Sequence, residues 1–129
     1  MSYQSFEQVL QKCHTEEKEF WRVILEDDMA ERNVSEEDSM EHMRATWDAM
    51  LLAAATYEGN LNSSSGLVGG DGRRMEEYIR SAQTKSLCGE YVDTCIAGAL
   101  QMGESNACMK RIVAAPTAGA CGVLPAVLV

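Results

Sequence analysis

The chain has 129 residues, enough to bury a core, and 46% of them are apolar, which excludes a disordered tail. Its formal net charge of -9 excludes a nucleic-acid backbone or an anionic membrane surface as partner. Methionine is plentiful and aromatics are few, a mix that favours helices over sheets.

From the N-terminus, Phe6, Val9, Leu10 and Cys13 fall at i, i+3, i+4 and i+7, one face of a short amphipathic helix. Thr15, with Glu16 and Glu17 after it, predicts the cap of a second helix. That helix is expected to bury Phe20, Trp21, Ile24, Leu25 and Met29 and to stop near Arg32 and Asn33. Ser35 with Asp38 three residues on reads as a capping box. The third helix is expected to bury Met40, Met43, Trp47, Met50, Leu51 and Ala54, with Gly59 as its stop.

Residues 60–72, "NLNSSSGLVGGDG", cannot make a regular element. A fourth helix is predicted from about Arg73 to Lys85, with Met75, Tyr78, Ile79 and Ala82 inward. A fifth is predicted from about Ser86 to Met102, ended by Gly103. Its inward face is Cys88, Tyr91, Val92, Cys95, Ile96, Ala99 and Leu100. "IVAAP" reads as extended, because a residue before proline avoids the α region. "TAGACG" reads as a turn, and "VLPAVLV" opens a helix that tolerates Pro125 in its first turn.

The expected fold class is therefore all-α, five to six helices with two Gly/Ser-containing loops. The final helix has neither a stop signal nor a polar face, which predicts that residues 1–129 are one incomplete portion of a larger helical domain. The last 18 residues lack charge but hold two prolines, at the bottom edge of spanning length, so no membrane span is expected. Five cysteines behind a start without a secretory leader predict reduced thiols and a cytoplasmic location.

Two places offer chemistry. Cys121 stands where a turn meets a helix start, among Ala118, Gly119, Ala120 and Gly122. There the helix dipole would lower a thiol pKa, and the small neighbours leave space beside the sulfur for an iron–sulfur cluster. The competing reading is a cysteine buried in the core. With no C-x-x-C anywhere, zinc has no support. In "SSSGLVGGDG" the glycines would let backbone N–H groups reach an anion and the serines would add hydroxyls, or the segment is a plain connector. It is neither a P-loop nor a dinucleotide fingerprint. Cys13, Cys88, Cys95 and Cys108 read as packing residues. His14, His42 and the acidic run from Glu16 to Glu41 read as solvated surface.

"SSSGLVGGDGRRMEEYI" and "NACMKRIVAAPTAGACGVLPAVL" resemble the α chain of bacterial iron–sulfur L-serine dehydratases, over roughly residues 20–129. The second motif is the more specific. The resemblance implies an enzyme converting L-serine to pyruvate and ammonia without pyridoxal phosphate. Its [4Fe-4S] cluster, held by three cysteines, acts as Lewis acid on the serine hydroxyl. Cys121 matches one cluster ligand. Thr117, Ala118 and Gly119 match the turn beside it, near cluster or substrate. Ser65, Gly66, Gly69, Gly70 and Asp71 match the first motif, at the active-site wall. Lys110 departs from an expected glycine, and Ala118 from a frequent asparagine.

The other ligand cysteines of the family lie beyond position 129, and Cys88, Cys95 and Cys108 do not match them. The resemblance thus implies a fragment inactive by itself, L-serine as substrate, a separate β chain and a homo-oligomer as partners. Two rival readings are a non-enzymatic acidic helical interaction module and an anion-binding protein built on the glycine loop.

Overall fold

The structure, a computed structural model, describes residues 3–81, 86 and 88–129. It holds six α-helices and no strand among the described residues. They are α1 (Phe6–Glu16), α2 (Phe20–Arg32), α3 (Glu36–Ala55), α4 (Asp71–Arg80), α5 (Glu90–Ala107) and α6 (Val123–Leu128). A single 3-10 turn, Ala118–Ala120, precedes α6. The all-α expectation holds. The residues group into two compact units, Met1–Ala45 and Thr46–Val129, with α3 running through the division.

In the first unit Ser5 caps α1 by accepting the N–H of Gln8 at 3.3 Å. Thr15 does not cap the second helix. It lies within α1, where its hydroxyl donates to the Gln11 carbonyl, and α1 ends instead at Glu17, which takes the left-handed conformation. The second helix therefore begins only at Phe20. It ends where expected: Asn33 adopts φ 54° and its N–H returns to Met29. Asparagine tolerates that conformation better than most residues.

The capping box forms as read. The Asp38 N–H donates to Ser35 Oγ at 3.1 Å, and the Ser35 N–H donates back to Asp38 Oδ2 at 3.3 Å. The buried stripe does not form as read. Val23, Leu25 and Asp27 are buried, whereas Phe20, Trp21, Met40 and Met43 are exposed. Those four line an open groove of about 660 Å³ between α2 and the start of α3. Phe6 packs on Phe20 with ring centroids 5.6 Å apart.

In the second unit Met50 and Ala53 of α3 are buried, while Leu51 is exposed. The helix stops at Ala55, before Gly59. The predicted break at 60–72 is a loop closed by internal bonds: Ser63 N–H to Val68 O at 2.8 Å and Gly66 N–H to Ser63 O at 2.9 Å. Helix α4 starts two residues earlier than predicted. Ala82, predicted inward, and the rest of the stretch 82–85 lie outside the described residues.

Helix α5 differs most from expectation. Ser86 does not open it. The Ser86 hydroxyl accepts the N–H groups of Cys88 and Gly89, and helix begins at Glu90. Gly103 does not end it, and the helix continues to Ala107. Its buried residues are Asp93, Ala97, Met102, Glu104 and Ser105. Cys88, Tyr91, Val92, Ile96 and Leu100, predicted inward, are exposed.

Asp28 of α2 tests the first unit. Hydrogen bonds from Arg32 and then Ser39 pull its carboxyl down to about 2. A depressed carboxyl stabilises the fold above its unfolded value, near 4, and that contribution is lost as pH falls through about 2. An NMR titration should give a midpoint near 2, and Arg32→Gln or Ser39→Ala should raise it toward the unfolded value.

Candidate functional site

The first motif is anchored by a carboxyl group from another helix. Glu104 of α5 is 2% exposed. Its Oε1 accepts the backbone N–H groups of Asp71 and of Gly72, the latter at 3.0 Å, and its Oε2 accepts the Tyr57 hydroxyl at 2.6 Å. The Tyr57 oxygen in turn accepts the N–H of Arg73. Burial and then the Glu104 carboxyl push the Tyr57 hydroxyl well above its ordinary pKa. The first amides of α4 would otherwise lack acceptors, because Gly70 at the N-cap has no side chain. Glu104 supplies from a distance what a serine or aspartate cap supplies locally, at the positive end of the helix dipole.

Glycine is required at two positions here. A Cβ on Gly72 would come within 2.7 Å of Gln101 Cγ and 3.0 Å of the Tyr57 hydroxyl. A Cβ on Gly69, whose φ is +155°, would lie 2.4 Å from the Leu61 carbonyl oxygen. Gly66 and Gly70 take positive φ in open space. Ser65 is exposed, and its oxygen lies 3.1 Å from that of Ser63 and accepts the Leu67 N–H. The loop and α4 surround a shallow cavity of about 240 Å³ lined by Gly69, Gly70, Arg73 and Arg74 among others. The amides of Asp71 and Gly72 do not face it unpaired, since Glu104 already holds them. The cation groups nearest the loop are Arg74, paired with Asp71 at 2.8 Å, and Arg73, paired with Glu77.

The second motif folds onto the same helix. Gly122 lies against α5 so closely that a Cβ would meet the Ala99 carbonyl oxygen at 2.6 Å, and Gly98 faces Ala126. Thr117, Ala118 and Gly119 are exposed. The Ala118 carbonyl accepts the Asn106 side-chain amide at 3.3 Å, and the Thr117 carbonyl accepts the Ala120 N–H. Cys121 is 3% exposed and clusters with Ala53 and Met102. Its Sγ lies 3.9 Å from the Met102 carbonyl oxygen. Burial raises its thiol pKa, the reverse of the lowering expected from a helix start. The helix that follows has only six residues, and Cys121 packs in the cluster of Ala53 and Met102, bordered by Ala54, Tyr57 and Ile112.

An iron–sulfur cluster needs several thiolates. Cys121 alone does not meet that need, and among the described residues no group of three or more His, Cys, Asp or Glu side chains could hold a metal ion. All five cysteines are free.

Both motifs thus hang on one stretch of α5, Gln101 and Glu104 holding the first, Ala99 and Met102 the second. A family profile described as serine dehydratase alpha chain matches residues 15–129. The chain belongs to the serine dehydratase alpha chain family. It is 31% identical over 126 residues to the L-serine dehydratase α chain of Peptoniphilus asaccharolyticus, covering 95% of this chain and 41% of that one. It is 34% identical over 106 residues to a probable L-serine dehydratase α chain of Bacillus subtilis (strain 168), covering 82% of this chain and 35% of that one. The chain spans well under half the length of these relatives. No solved structure matches it significantly.

Sequence reading of this serine dehydratase α-chain segment found the glycines and the cysteine but missed Glu104 and Tyr57. Their partners lie up to 47 positions away, and neither belongs to a motif. Glu104 is one of three acids on α5, with Glu90 and Asp93, and nothing in its spacing sets it apart.

Removing the acceptor should cost more than altering it. Glu104→Ala, which takes the acceptor from the Tyr57 hydroxyl and two backbone amides, should lower unfolding free energy by about 3 kcal/mol, and Glu104→Gln by about 1 kcal/mol. Gly72→Ala should cost about 1–3 kcal/mol through overpacking. Urea melts would measure all three. Alkylation with mass-spectrometric readout should label exposed Cys88 in the folded chain and reach Cys121 only on unfolding.

Proposed function

We propose that this chain is the N-terminal portion of an L-serine dehydratase α chain, one part of a lyase that converts L-serine to pyruvate and ammonia. The single observation behind this reading is that the two motifs shared with the family fold onto adjoining stretches of one helix, α5. A site assembled from both would be fixed by that helix.

In this reading Cys121 supplies one thiolate to a [4Fe-4S] cluster, and the remaining ligands come from outside the described residues. Bound in the complete enzyme, such a cluster supplies Lewis acidity. Its assembly requires the Cys121 sulfur to leave its present hydrocarbon contacts or to be met there by further ligands. The wall of the substrate site is formed by Ser65, Gly66, Gly69, Gly70 and Asp71, with Thr117, Ala118 and Gly119 on the other motif. Arg73 and Arg74 beside the glycine cavity offer charge to the carboxylate of an amino acid. A separate β chain, a homo-oligomer and a cytoplasmic location complete the reading. No helix among the described residues is long and apolar enough to cross a membrane. The fragment alone is inactive.

The test is a chimera in which residues 15–129 replace the matching segment of the Bacillus subtilis relative, prepared anaerobically with that protein's partner chain. Serine-dependent pyruvate and bound iron are expected, and Cys121→Ala should remove both. Retention of iron and turnover in Cys121→Ala would refute the ligand assignment. In the same chimera Arg74→Gln should raise KM for serine about 10-fold while changing kcat little, as loss of one charged contact does.

A further inference from the structure

Past the end of α5 the chain turns back and carries two cations to the last turns of α3. Met109 takes φ 59°, and the Lys110 N–H returns to the Ser105 carbonyl at 2.9 Å. Lys110, Arg111 and Ser105 thereby line one cavity of about 190 Å³. Its apolar wall is Ala49, Leu52 and Ala53 of α3, and Ala53 also packs with Cys121. Ser105 is 3% exposed, yet its hydroxyl has no hydrogen-bond partner among the described residues. The Thr56 hydroxyl beside it is already given to the Leu52 carbonyl at 2.7 Å. A buried hydroxyl left unpaired is uncommon, and this one belongs to the cavity lining. Lys110 reaches Glu58 at 3.4 Å. Arg111 has no carboxylate within ion-pair distance among the described residues, on a chain with 20 acidic side chains. Lys110 stands where the family resemblance leads to glycine, so the second cation is a feature of this chain.

We propose that this cavity binds a small monocarboxylate of three or four carbons that carries no amino group. Charge sets the first property. Two cations against the one carboxylate of Glu58 leave a single positive charge, which matches a monoanion and not a dianion. The Arg111 guanidinium would take the carboxylate through two N–H groups, and the Ser105 hydroxyl would donate to one of its oxygens. Size sets the second. A space of 190 Å³ is about six waters' share of liquid volume, room for about six non-hydrogen atoms. The wall sets the third. An ammonium group would lie against hydrocarbon or beside the two cations, and Glu58 is already engaged by Lys110. The proposal rests on the cavity, not on the proposed activity.

The experiment titrates sodium propionate, sodium pyruvate and L-serine into the 129-residue chain, against sodium chloride of equal ionic strength. Two-dimensional NMR follows the Arg111 Nε–H and the amides of Ser105 and Lys110, with circular dichroism to verify the fold. Equilibrium dialysis of labelled propionate repeats the comparison on the chimera described above, and decides the matter if the short chain does not fold. Propionate and pyruvate are expected to saturate with a Kd of about 1 mM, in keeping with so few atoms, and serine to bind about 10-fold more weakly. Arg111→Gln should weaken propionate about 10-fold, and Ser105→Ala and Lys110→Gly about 3-fold each. No saturable response, a response equal to that of chloride, or unchanged binding in Arg111→Gln would overturn the proposal. So would serine binding as tightly as propionate, which would make the cavity an amino-acid site. A chimera without iron or turnover that still binds propionate through Arg111 would sink the proposed function and leave the carboxylate site standing.

Discussion

One carboxyl group organises the second unit. Glu104 lies in the interior of the protein, where an unpaired polar group is costly, so its oxygens must be satisfied by fixed donors. The donors are two backbone amides of α4 and the hydroxyl of Tyr57. That requirement ties together the chain just past α3, the exit of the glycine loop, the first turn of α4 and the C-terminal turns of α5. It also explains Gly72. The backbone must approach α5 closely enough for its N–H to reach Oε1, and any side chain there would strike Gln101 or Tyr57. The glycine loop is therefore shaped by the needs of an internal acceptor. Its amides at Asp71 and Gly72 are spent inside the protein, which removes them from any account in which a bare helix start grips an external anion.

The same helix seats the cysteine motif by a different force. No charge is involved at the α5–α6 contact, where closeness alone decides. Gly122 and Ala99 permit backbone to meet backbone, and the chain entering α6 is held against α5. Cys121 is carried into the core beside Met102 as a consequence, and its thiol is pushed toward the neutral form. A polar clamp and an apolar one thus act on neighbouring turns of α5. A displacement of α5 would move both motifs together.

How much of this was legible follows from the range of the interactions. Ser35 and Asp38 meet within one turn, so their residue types and spacing sufficed. Asn33 marked its own helix end for a similar reason. Thr15 failed as a cap because its hydroxyl found the Gln11 carbonyl one turn back, an alternative that Ser and Thr always have within a helix. Phe20, Trp21, Met40 and Met43 have helical spacing, but spacing says which residues share a face and not whether that face is covered. Glu104 was invisible because its donors come from residues 57, 71 and 72. The two motifs were legible as motifs and α5 as a helix, but not that the helix joins them.

Helix α5 joins these observations. A helix with one apolar and one polar side ordinarily hides the first and wets the second. Here the polar side is engaged by α4, with Gln101 donating to Glu76 and Glu104 accepting from the α4 amides, and those bonds fix its rotation. Rotating α5 to hide Val92, Ile96 and Leu100 would strip Glu104 of all its donors. The buried network therefore dictates that the apolar stripe points outward, and the packing of α6 extends that stripe. An outward apolar stripe produced by an inward polar lock is a property of sequence and fold together.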